Sequence, residues 1–230
     1  MGASESRSGT TAALFDVDGT LVDSNYLHVD AWQRAFAEVG HDIDAWRVHR
    51  AIGLDSQLLL DTLLGDAAAE VGDRAKELHK QYYLDLRPRM RPLAGARDLI
   101  RELHRRGVQV VLATSAPEDE LSVLREVLDI DSCIAHTTSS GDVEQAKPDP
   151  DVVKTALERS STSPDTAVMV GDAVWDAKAA AEAGVQFIGL LSGGISRGEL
   201  AEAGAKEVYD DAQTLLDGLE SSALASLFGP

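Results

Sequence analysis

From residue 96 onward, short apolar runs alternate with amphipathic stretches, and this alternation narrows the possible folds more than any other feature of the chain. Helical spacing over 96–106 ends at Gly107, before the extended run Val108-Gln109-Val110-Val111-Leu112-Ala113. A helix over 118–128 precedes a short strand around Ile134, and a helix over 150–160 precedes Ala167-Val168-Met169-Val170. A helix over 174–183 ends at Gly184, before Val185-Gln186-Phe187-Ile188-Gly189. A short strand near Val208 and a helix near 211–220 close the series. Strands that are apolar along their whole length and separated by helices are buried on both faces. The expected fold is therefore α/β, a Rossmann-like three-layer core around a parallel sheet.

The first strand of that sheet, over 11–17, stands far from the others. Between residues 24 and 90 no convincing strand appears. Leu27, Ala31, Trp32, Ala35, Phe36 and Val39 form an apolar stripe at helical spacing, with Ser24 or Asp23 to cap it and Gly40 to end it. Further helical stretches follow near 44–52, 56–64 and 67–86. Seventy residues of helix directly after one strand read as an inserted domain. The expected division is a disordered tail over 1–10, a core over 11–22 and 91–230, and a helical cap over 23–90, with hinges near 20–24 and 87–95.

Composition sets the partners. With 39 acidic against 21 basic residues the net charge is −18, which repels nucleic acid and anionic lipid. An anionic ligand would then need a locally positive pocket. The single cysteine, Cys133, excludes an intrachain disulfide and reads as a small buried hydrophobe. No apolar run reaches membrane-spanning length and no signal peptide is visible, so a cytoplasmic location is expected, as monomer or homodimer. The start Met1-Gly2-Ala3-Ser4-Glu5-Ser6 matches a myristoylation pattern only formally.

In an open parallel sheet, ligands bind beyond the carboxyl ends of the strands. Four polar clusters follow strands here: Asp16 to Asp18, Thr114-Ser115, Lys147-Pro148, and Gly171-Asp172 with Asp176. Each has an ordinary structural reading: a Ser or Thr capping a helix, a solvated lysine, a turn. Their convergence on one edge would combine two acids and backbone amides, a site for a hard cation and a phosphoryl group. Asp149 before Pro150 reads as a helix N-cap with proline at the first helical position. The run Ser192-Gly193-Gly194-Ile195-Ser196-Arg197-Gly198 lacks the Lys-Ser/Thr ending of a P-loop and reads as a connecting loop. Trp32 and Phe36 read as core, and Trp175 either packs on the sheet or shapes a pocket rim.

The order Asp-x-Asp-Gly-Thr, a strand ending in Thr, Lys-Pro, then Gly-Asp-x-x-x-Asp resembles the haloacid dehalogenase-like phosphohydrolases across nearly the whole chain. An insertion directly after the first motif resembles the helical cap of the subgroup containing phosphoglycolate phosphatase and β-phosphoglucomutase. The resemblance implies magnesium-dependent hydrolysis of a small phosphorylated metabolite through an aspartyl-phosphate. Asp16 would be the nucleophile and Asp18 the general acid/base. Thr114, with Ser115, and Lys147 would hold phosphoryl oxygens. Magnesium would sit among Asp16, Asp18, Asp172 and Asp176, the last acting directly or through water.

The cap would then choose the substrate, through Asn25, His28, Arg50 and Gln57. Arg50 either meets a second anionic group, such as a carboxylate, or is solvated. His28, His41, His49 and His79 show no metal-ligand spacing, which argues against zinc. A phosphosugar mutase of the β-phosphoglucomutase type would share the core. At the loop position where such proteins carry an arginine, this chain has Asp55 or Ser56. Phosphonate hydrolases need a cap lysine near that loop, and only Lys76 and Lys80 lie between residues 20 and 90. Haloacid dehalogenases lack an acid at the position of Asp18. In another functional class, phospho-acceptor signalling domains also use Asp, Thr and Lys, but their acceptor lies on the third strand.

Overall fold

The computed structural model describes residues 10–142 and 147–229. Of the expected tail and the myristoylation match, residues 1–9 lie outside the described residues. Six strands, β1 (Ala12–Phe15), β2 (Gln109–Ala113), β3 (His136–Thr138), β4 (Ala167–Gly171), β5 (Gln186–Leu190) and β6 (Glu207–Tyr209), form one parallel sheet in the order β3-β2-β1-β4-β5-β6. Strand order reverses about β1, which pairs with β2 on one side and β4 on the other. In register, Phe15 faces Leu112 and Val170, so the chain leaves β1, β2 and β4 at nearly the same height. That reversal opens a crevice at the strands' carboxyl ends.

Alternation along β1 explains the three layers. Ala13 and Phe15 pack on one face with Leu99, Ile100, Leu103, Leu121, Leu124 and Leu215, carried by α5 (Ala96–Arg105), α6 (Glu118–Leu128) and α10 (Ala212–Asp217). Ala12 and Leu14 pack on the other with Val152, Val153, Ala156, Ala177, Ala180 and Leu200, from α7 (Asp151–Ser160), α8 (Val174–Glu182) and α9 (Arg197–Glu202).

Four helices fill the interval between β1 and α5: α1 (Asn25–Glu38), α2 (Ala45–Ala51), α3 (Ser56–Leu64) and α4 (Ala68–Asp85). They bury an apolar cluster of their own, including Val29, Trp32, Phe36, Val48, Leu60, Leu63 and Leu78. Each such side chain contributes roughly 1.5–3 kcal/mol when fully buried. Leu27, Ala31, Tyr83 and Leu86 of the same stretch pack instead with the sheet's core. Its two connections to the core run side by side. Asp23 N–H donates to the Arg91 carbonyl and Leu93 N–H to the Leu21 carbonyl, both at 2.9 Å. The side chains of Asp23 and Arg91 pair across the same junction at 2.7 Å.

The structure differs from the sequence expectation at several places. Neither Ser24 nor Asp23 caps α1 through its side chain, because Ser24 Oγ donates to Asp18 and Asp23 pairs with Arg91. The third strand is His136–Thr138 rather than a run around Ile134, because Asp131–Cys133 forms a 3₁₀ turn; Cys133 is only half-buried. Helix α7 starts at Asp151 with Pro150 in the cap position, while Asp149 Oδ1 accepts the Asp151 N–H at 3.1 Å. The 192–198 run is not simply a loop. Leu191–Gly193 is a 3₁₀ turn, and α9 begins at Arg197 behind a capping box in which Ser196 Oγ accepts the Glu199 N–H at 3.4 Å and Glu199 Oε2 accepts the Ser196 N–H at 3.2 Å.

Candidate active site

Three strand ends, one loop and one helix N-terminus deliver the polar groups. Asp16 directly follows β1, and its N–H donates to the Val170 carbonyl at 3.0 Å. Thr114 follows β2, Asp172 follows β4, and Lys147 precedes α7. Asp176 stands in the first turn of α8, where its Oδ2 accepts the Ala173 N–H at 3.0 Å. That bond satisfies a helix N-terminus and aims the remaining oxygen at the crevice.

Oxygens of Asp16, Asp172 and Asp176 lie within 4.8 Å of one another, and all three residues are buried. Lys147, itself 1% exposed, donates to Asp16 Oδ1 at 2.6 Å and meets Asp176 Oδ1 at 2.7 Å. Burial raises the Asp16 carboxyl well above its ordinary value, the neighbouring acids add to that, and Lys147 opposes it. Burial opposes the charge on Lys147, but Asp16 and Asp176 outweigh it and hold the ammonium above its ordinary value. Asp172 is pushed up to about 7 by burial and by Asp176, with the Thr20 and Asn25 hydrogen bonds opposing.

Asp172 is oriented by neighbours to which sequence reasoning assigned either no role or another one. Thr20 Oγ1 donates to its Oδ1 at 2.7 Å and Asn25 Nδ2 to its Oδ2 at 2.8 Å. Two glycines let these groups crowd. A Cβ on Gly19 (φ +75°) would lie 2.5 Å from Asp172 Oδ2, and one on Gly193 would lie 1.7 Å from it. The turn at 191–193 thus closes over the acid, with Ser192 Oγ donating to the Gly19 carbonyl at 2.6 Å. Only the Gly-Gly pair at 193–194 hinted at this in the sequence.

Asp18 is turned toward the helical insertion rather than into the carboxylate triad. Its Oδ1 accepts from Ser24 Oγ at 2.6 Å and Tyr83 OH at 3.2 Å, and lies 3.3 Å from His28 Nε2. Burial would raise its pKa, but the bonds from His28, Ser24 and Tyr83 prevail and hold it below the usual carboxylate value. His28 Nδ1 meets His79 Nε2 at 3.0 Å, inside a stack with Trp32 and Tyr83. Burial lowers the His79 pKa strongly and His28 adds to it.

A cavity of about 630 Å³ lies between core and insertion. Asp16, Asp18, Asp172, Thr114 and Ser115 line its core side. Thr114 Oγ1 accepts the Ala116 N–H at 3.0 Å, and Ser115 Oγ accepts the Lys147 N–H at 3.4 Å. Asn25, His28 and Trp32 also line it, so Trp32 is at once core and wall. Arg50 and Gln57 are not among the lining residues. Arg50, at the end of α2, pairs with Glu199 of α9. Gln57 is exposed and bonds Asp61 one turn along α3 at 2.9 Å. Their segment reaches the cavity through Ile52, Gly53, Leu54, Asp55 and Ser56 instead. Asp55 caps α3 by accepting the Gln57 N–H at 2.8 Å, and its own N–H donates to the Lys147 carbonyl at 3.3 Å. A Cβ on Gly53 would lie 3.1 Å from Trp175, which places that ring against the same segment.

The donor set fits a hard divalent cation. Three carboxylates against one lysine leave uncompensated negative charge among oxygen ligands. Asn25 Oδ1 is moreover a buried acceptor with no partner among the described residues.

Known proteins resemble this chain over most of its length. The family model for haloacid dehalogenase-like hydrolases matches residues 10–184. A phosphoglycolate phosphatase of Rhodospirillum rubrum is 32% identical over 219 residues, 90% of each chain. A validoxylamine A 7'-phosphate phosphatase of Streptomyces hygroscopicus is 28% identical over 181 residues, 78% of this chain and 85% of that one. Among solved structures, a hydrolase from Pseudomonas syringae superposes with a TM-score of 0.87 at 35% identity, covering 93% of this chain and 99% of that one.

Proposed function

The chain belongs to the haloacid dehalogenase-like hydrolases, and from that premise we propose that it is a magnesium-dependent phosphatase of small phosphomonoesters working through phosphorylated Asp16. The observation that carries this reading is the grouping of Asp16, Lys147 and Asp176 beneath the cavity, with Asp18 beside it.

Each residue has a task that its position supports. Lys147 restrains Asp16 and offsets the repulsion between a carboxylate and an anionic ester. The Asp16 carboxylate attacks phosphorus as the bond to the ester oxygen breaks. Asp18, ionised while His28, Ser24 and Tyr83 hold its pKa down, takes up a proton before this step and gives it to that oxygen. Water then attacks the phosphorus of the aspartyl-phosphate, loses a proton to Asp18, and releases inorganic phosphate with Asp16 restored. Thr114 and Ser115 line the side of the cavity where phosphoryl oxygens would be held. A Mg²⁺ held by Asp16, Asp172 and Asp176 would screen the approach of the two anions. Asn25 and Thr20 keep Asp172 in place for it.

The insertion acts as a cap that closes over the ester and excludes bulk water. His28 and Tyr83 belong to α1 and α4, so closure and the orientation of Asp18 are one event. A phosphosugar mutase is the weaker reading, because Asp55 at the cap loop serves as a helix cap and carries the wrong charge for a second phosphate. The lone cysteine suits a reducing cytoplasm.

Turnover of p-nitrophenyl phosphate with magnesium, followed by acid quench and mass spectrometry, tests the proposal. Phosphate is expected on Asp16, and Asp16→Asn is expected to abolish both adduct and steady-state turnover. An adduct elsewhere, or turnover surviving in the variant, would overturn it.

A further inference from the structure

One buried acid in the cavity has no part in the chemistry above. Glu120 stands in the first turn of α6, is 6% exposed, and lines the cavity opposite the insertion. No hydrogen bond or ion pair holds its carboxylate among the described residues, whereas Asp18, Asp172 and Asp176 are all held. Favouring the start of a helix does not account for it, since the exposed Glu118 and Asp119 already place negative charge there. Its oxygens are not sealed within the protein and face the cavity, where a donor from a ligand can reach them. Burial pushes Glu120 up to about 7, with Asp18 and Asp119 adding and His28 and Lys80 opposing.

The rest of the cavity points the same way. Away from the reacting groups its charged lining is Asp55, Asp73, Glu77 and Glu120 against Lys76 and Lys80. Lys80 is engaged by Asp119, and the arginine expected to meet a substrate carboxylate pairs with Glu199 outside the cavity. Trp32, Ile52, Leu54 and Leu59 supply an apolar wall. The volume of about 630 Å³ lies within the range of ~300–1,000 Å³ that holds ligands much larger than a two-carbon acid.

We propose that Glu120 is a specificity-determining residue that accepts a hydrogen bond from a hydroxyl or ammonium on the leaving group, so that the preferred ester is a sugar-sized polyol or aminopolyol phosphate and not phosphoglycolate. This rests on the phosphatase reading. The apolar wall takes the carbon face of such a molecule and Glu120 takes one of its donors. A carboxylate in the same place meets like charge.

The test compares four esters under one magnesium concentration: p-nitrophenyl phosphate, 2-phosphoglycolate, glucitol 6-phosphate and glucosamine 6-phosphate. The wild-type chain is expected to favour the last two over phosphoglycolate in kcat/KM. Glu120→Gln and Glu120→Ala are expected to lower the ratio of glucitol 6-phosphate to p-nitrophenyl phosphate turnover by about ten- to a hundredfold, the usual range for a lost hydrogen bond to a charged group. A wild-type preference for phosphoglycolate, or an unchanged ratio in the folded Gln variant, overturns the inference. Turnover of p-nitrophenyl phosphate through phosphorylated Asp16 leaves the phosphatase reading standing in either case. Failure to turn over any of the four would overturn that reading and this inference together.

Discussion

Lys147 and Asp16 form a buried pair, with 2.6 Å between ammonium and carboxylate and 1% of the lysine exposed. Removing one member of such a pair leaves the other charged and desolvated, at a typical cost of ~3–5 kcal/mol. Lys147→Met should therefore melt well below the wild-type protein in the presence of a chelator. Added magnesium should recover part of the difference, because Asp16, Asp172 and Asp176 then regain a countercharge. Calorimetry with and without the ion checks this, and identical melting of the two proteins in chelator would contradict it.

Asp18 differs in that its carboxylate is fixed by Ser24, His28 and Tyr83 rather than by Lys147. Asp18→Asn keeps the shape and an acceptor oxygen but cannot exchange the proton. Turnover should fall by ~10²–10⁴-fold, the usual contribution of a positioned acid or base. The melting temperature should change little. Rapid-quench measurement of phosphorylated Asp16 would show which half-reaction slows, and wild-type rates in both would remove Asp18 from the role assigned to it.

Gly193 tests the turn over Asp172. A methyl group there would overlap Asp172 Oδ2, whose position Asn25 and Thr20 hold. Overpacking of this kind typically costs ~1–3 kcal/mol, and here it would also displace the acid. Gly193→Ala is expected to raise the magnesium concentration required for half-maximal activity. Titration of activity against magnesium decides it, and an unshifted midpoint would mean that the turn only connects.

Glu120 makes stability depend on pH. Burial holds its carboxyl at about 7 in the folded chain against 4.5 as the ordinary value, so the folded state binds the proton more tightly than the unfolded one. Stability attributable to this group is therefore full below about pH 4.5 and is lost as pH rises towards 7. Above that window the loss is on the order of 3 kcal/mol. Glu120→Gln should match the wild type near pH 4 and exceed it at pH 8. A gap between the two melting curves that is constant with pH would refute the shift.

The parallel core was legible because its strands are apolar throughout and its helices end in glycines, and both signals are local. Asp16, Lys147, Asp172 and Asp176 were legible as a set because each follows a strand whose carboxyl end faces the same edge. Boundaries slipped where turn geometry competes with hydrophobicity, as at Ile134, and where a capping box was overlooked, as at Ser196 and Glu199. Arg50 and Gln57 flank a segment that lines the cavity, but which way a side chain leaves a short helix depends on the neighbouring element. Here α9 claims the arginine. Asn25 lines the cavity as expected of a residue near substrate, and its amide nitrogen also meets Asp172, which no local pattern announces. Glu120 was hidden among three consecutive acids, since only packing distinguishes the one that faces inward.

The paired linkers at Asp23 and Arg91 have a consequence for how such a protein diversifies. The chain departs from the sheet and returns to it at adjoining points, hydrogen-bonded to each other. The stretch from α2 to the start of α4 can be lengthened or shortened without re-registering any strand, while Ser24, Asn25, His28 and Tyr83 stay to hold Asp18 and Asp172. Variation confined to that middle stretch leaves the crevice at the strand ends as it is.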